Sequence, residues 1–77
     1  MAEVKYISSP TEIPAGPKYV LVQYGNENGN ARHTRGLTIT VARGQSDSIS
    51  EVAFSTAVKS AKKIADEEGI ATVFACE

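Results

Sequence analysis

Residues 48–69, SISEVAFSTAVKSAKKIADEEG, decide the architecture of this 77-residue chain. Ser48-Ile49-Ser50-Glu51 is a capping-box pattern: the Ser48 hydroxyl accepts from the Glu51 amide while the Glu51 carboxylate reaches back. At about 100° per residue, Ala53, Phe54, Ala57, Val58, Ala61, Ile64 and Ala65 fall in one arc. Ser55, Lys59, Lys62, Lys63 and Asp66 take the opposite side, and Gly69 stands where a left-handed terminator belongs. The spacing predicts one amphipathic helix over about residues 49–68. Ala53, Ala57, Ala61 and Ala65 form a seam of small side chains that brings its axis close to a sheet, with Phe54, Val58 and Ile64 supplying bulk.

On either side of the helix the pattern changes to strands. Lys18 to Tyr24, KYVLVQY, is dense in β-branched and aromatic residues. It stops at GNENGN, residues 25–30, where Asn28-Gly29 has the chemistry of a tight hairpin turn. A return strand is expected over Arg35 to Arg43, because Leu37, Ile39 and Val41 alternate with Thr38, Thr40 and Ala42. Ile70 to Cys76 makes a strand after the helix, and Val4 and Tyr6 a short one at the start. Pro10, Pro14 and Pro17 stiffen the segment between the first two strands into a loop.

The expected fold is therefore α+β: a three- to four-stranded, mainly antiparallel sheet, element order β-β-β-α-β, with one face covered by the single helix. The strand–helix–strand order makes a right-handed crossover the default. A chain of this length has room for one domain, residues 1–77. Residues 1–17 are its first strand and proline-rich loop, and residues 18–77 its ββαβ core. One helix covers one face, so the Thr- and Tyr-bearing face is either solvated or paired.

A net charge of −1 and a pI near 5.8 argue against a general nucleic-acid or membrane-surface binder. The lone Cys76 makes no internal disulfide and suits a reducing compartment. No apolar run approaches the roughly 20 residues of a membrane span, and MAEVK lacks the basic-then-apolar order of a signal peptide, so a cytoplasmic location is expected.

No residue set amounts to a catalytic, metal or cofactor site, and none is assigned. His33 is the only histidine, without further ligands at metal-binding spacing and without a nucleophile to serve. The candidates for partner binding are charges that folding leaves unexplained. Arg32, His33, Arg35 and Arg43 cluster along the hairpin arm, suited to phosphates or an acidic protein surface. Asp66, Glu67 and Glu68 oppose the dipole at the helix end. Lys59, Lys62 and Lys63 add a basic stripe beside them.

The order of elements carried by KYVLVQY, GNENGN, LTITVA, SEVAFSTAVKSAKKIADEEG and ATVFAC resembles that of small orphan domains of phages and mobile elements, anti-CRISPR proteins among them. No family motif is matched, and no residue role is carried over. The resemblance implies a compact non-catalytic inhibitor, acting in the host cytoplasm, that docks on a host protein or nucleoprotein complex. The alternatives are a domain dimerising through its open sheet face and a weak nucleic-acid-binding module.

Overall fold

The computed structural model describes residues 2–43 and 47–76, the side chains of Pro10 and of residues 47–50 apart. Its elements are β1 (Glu3–Ile7), a 3₁₀ turn (Pro10–Glu12), β2 (Tyr19–Gly25), β3 (Gly29–His33), β4 (Gly36–Ala42), α1 (Asp47–Glu68) and β5 (Thr72–Cys76). The class is α+β, with one helix lying against one sheet. The sheet has five strands in the order β1-β5-β2-β4-β3.

Strand number and direction depart from the sequence expectation. Among the described residues only β3 and β4 pair antiparallel, whereas β1–β5, β5–β2 and β2–β4 are all parallel. The difference comes from β3, GNARH, which is exposed at every position and so shows no apolar alternation. Asn28-Gly29 is not a two-residue hairpin: Gly29 opens β3, and the Asn28 Oδ1 accepts from the Ala42 amide at 2.8 Å. The chain reverses instead at Thr34-Arg35, and β4 returns between β2 and β3, aligned with β2 from Tyr19↔Gly36 to Gly25↔Ala42. Gly36 is required there. Its φ is +145°, and a Cβ would stand 1.8 Å from the Tyr19 carbonyl oxygen.

The three inner strands put Val20, Val22, Leu37, Ile39, Val41, Val73 and Ala75 under the helix. Val20, Val22 and Val73 are fully buried at its centre, each contributing about 1.5–3 kcal/mol of burial. From the helix come Phe54, Val58, Ala61 and Ala65, with Ala57 and Ile64 half-buried. Ala53 is exposed, so the small-residue seam begins one turn later than its spacing predicts. The start of α1 at Asp47 differs little from the expected one, and the Ser48 side chain of the expected capping box lies outside the described residues. The other end follows the expectation. Gly69 adopts φ +72°, its amide donates to the Asp66 carbonyl, and the Ile70 amide donates to the Ala65 carbonyl at 2.7 Å. That pairing of 5→2 and 6→1 bonds is a Schellman motif, and Ile70 is buried beside it.

The second sheet face is not bare. Leu21 and Phe74 point away from the helix, yet each is only 6% exposed. The Tyr19 ring meets Phe74 edge-on at 5.9 Å. Arg35 lies over Tyr19 at 5.1 Å and donates to the Pro14 and Pro17 carbonyls at 2.6 and 3.2 Å. The proline-rich loop is thereby tied onto this face, which explains why Val20, Leu21 and Val22 are consecutive buried residues.

Candidate functional site

The fold gives most of the charged candidates a partner inside the chain. Arg32, on β3, grips the last turn of α1 with a two-pronged bond: Nη1 donates to Glu68 Oε1 at 2.8 Å and Nη2 to Oε2 at 3.4 Å. The hydrogen bond from Arg32, aided by its charge, holds the Glu68 carboxyl below its ordinary range, and Glu68 raises Arg32 in turn. Asp66 Oδ1 accepts from the Ala2 amide at 2.6 Å, fastening the start of β1 to the end of the helix. Arg35 is occupied by Tyr19 and the proline loop. His33 lies against Tyr19 with the rings tilted at 45° and their centroids 5.3 Å apart, its Nδ1 accepts from the Arg35 amide, and its Nε2 stands 3.3 Å from the Thr38 hydroxyl. Arg43 covers the Tyr24 ring at 4.6 Å. Glu67 is exposed, with no hydrogen bond or ion pair among the described residues.

The basic arm and the acidic helix end, distant in sequence, are therefore neighbours. Arg32, His33 and Glu68 meet with Lys18 around a cavity of about 130 Å³. Arg43 stands apart from them, beside Tyr24.

A larger concavity lies at the other side of the sheet. α1 sits over β2, β4 and β5 and reaches β1 only at its margin. A groove of about 450 Å³ runs between the helix flank and β1. Val4 and Tyr6 form one wall, while Tyr24, Phe54 and Val58 make an apolar base. Tyr24 and Phe54 stack at 4.6 Å there. Lys59 and Lys62 rim the helix side, with Glu51 and Ser55 further toward the N-terminal end. Among the described residues no ion pair engages either lysine.

Tyr6 is 68% exposed, as is Val52 on α1. A large aromatic left in water at a groove is more informative than a scattered surface apolar residue. The lysines were visible in the sequence as a stripe; Tyr6 was not distinguishable from a core strand residue, because its exposure depends on β1 being an edge strand that the helix does not cover.

Among the described residues no cluster of three His, Cys, Asp or Glu side chains is placed to hold a metal ion, and no helix is long and apolar enough to cross a membrane. Cys76 is half-buried at the end of β5. Comparison with known proteins finds no matching family model, curated protein or solved structure.

Proposed function

We propose that this chain is a non-enzymatic binding protein that docks on a protein or nucleoprotein partner through the groove between β1 and α1. The observation that carries this reading is the exposed Tyr6 beside an apolar base and an unpaired lysine rim. Such a surface suits an acidic segment bearing one apolar anchor: the anchor fills the groove and its carboxylates meet Lys59 and Lys62. Exposed tyrosines of this kind commonly carry a large share of interface energy. The groove has the size of a ligand site, but its open, lysine-lined form favours an extended chain. In its finer form the partner is a CRISPR effector and the chain its inhibitor; that form rests on the resemblance in element order.

The test is affinity capture from lysate of the organism that carries the gene, comparing the native chain with a Lys59→Glu/Lys62→Glu variant of matched melting temperature. A defined partner held by the native chain and lost by the variant supports the reading. Equal capture by both chains contradicts it.

A further inference from the structure

The outer edge of β1 is complementary to itself. The Glu3 amide donates to the Ala71 carbonyl at 2.9 Å, so the odd-numbered residues of β1 turn their backbone groups toward β5. Val4 and Tyr6 turn theirs outward, to an edge that no strand occupies among the described residues. On the sheet face away from the groove, Glu3 and Lys5 are both exposed, and neither has an ion pair among the described residues.

We propose that a second copy of this chain pairs antiparallel along this edge, β1 against β1 about a two-fold axis at Val4, making one continuous sheet from two. The backbone phase allows outward-turned residues to stand only opposite outward-turned residues. Centred on Val4, Glu3 of each copy faces Lys5 of the other, and Tyr6 of each faces the small Ala2 of the other. A shift of one step toward the N-terminus sets Glu3 against Glu3. A shift the other way sets Lys5 against Lys5, and like charges directly opposite oppose pairing. The next register, centred on Tyr6, sets Val4 against Ser8, beyond the end of β1, where the Ser8 amide already donates to the Glu12 carboxylate. In the favoured register the two Val4 residues exchange both backbone bonds, and each Tyr6 amide donates to the Ala2 carbonyl of the second copy. The Ala2 amide is already held by Asp66, so it makes no demand on the interface. Both helices lie on the same side of the joined sheet, and the two grooves meet at the axis.

This pairing goes beyond the binding reading and does not depend on it, since Glu3 and Lys5 lie on the face opposite the groove. Sedimentation equilibrium over micromolar to millimolar concentrations tests it. The native chain should show a monomer–dimer equilibrium. Glu3→Lys and Lys5→Glu, each replacing two attractions with two repulsions, should each weaken the dimer about tenfold or more. The double variant Glu3→Lys/Lys5→Glu should recover native dimerisation, and an equimolar mixture of the two single variants should form a heterodimer. A native chain that is monomeric throughout overturns the proposal, as does a dimer indifferent to the single variants or not restored by the double.

Discussion

The two edges of the sheet are built from strands of equal length and behave as opposites. Among the described residues no strand pairs with the outward backbone groups of Asn30 and Arg32 on β3, whose side chains are all polar or small and exposed throughout. Arg32, the longest of them, is tied to Glu68, and the strand begins at a glycine. Such features discourage a further strand. β1 leaves Val4 and Tyr6 open, with an apolar wall on one face and alternating opposite charges on the other. The charged residues that stand out in the sequence therefore close one edge, and the less conspicuous residues of EVKYI leave the other open. Charge that is conspicuous in one dimension is spent in three.

The comparison can be broken most severely at Gly36. Among the described strands β3 pairs with β4 alone, and Gly36→Ala drives a Cβ into the Tyr19 carbonyl at a φ of +145°. The expected loss is about 3 kcal/mol, measured by denaturant unfolding, from strain and close contact together. Next in size is Ala61→Leu, which inserts bulk where α1 is fully buried. It should cost about 2 kcal/mol in the same measurement and loosen the helix whose flank walls the groove. A melt unchanged by this substitution would contradict close helix–sheet contact.

The smallest effect sharpens the comparison instead. Glu68 is held below its ordinary value when paired with Arg32, so the pairing supports the folded state fully above the ordinary carboxylate range. That support is lost as pH falls through the lowered folded value. Carbon-detected NMR titration should show the Glu68 midpoint moving upward in Arg32→Ala, with little change in global stability because the pair is exposed. An unmoved midpoint would remove the clamp from the closed edge.

Much of the fold was legible. The 3.6-residue pattern of Phe54, Val58, Ala61 and Ala65, with Gly69 as terminator, located α1 to within a few residues. Alternation at Leu37, Ile39 and Val41 located β4, and β-branched density located β2. What failed was the pairing. A strand such as GNARH, exposed on both faces, leaves no periodic trace, and missing it turns a parallel β2–β4 pair into an apparent hairpin. The candidate site was less legible for a related reason. Sequence marks charges but not their partners, so Arg32, Asp66 and Glu68 looked like separate unexplained features before Arg32 was found on Glu68 and the Ala2 amide on Asp66. The exposure of Tyr6 depends on strand order, which no local pattern records.

Amide hydrogen exchange, followed residue by residue as concentration rises, tests the contrast between the edges most directly. The amides of Val4 and Tyr6 should gain protection with concentration, while those of Asn30 and Arg32 exchange at a constant rate. Protection that grows at Asn30 and Arg32, or at neither edge, would contradict it.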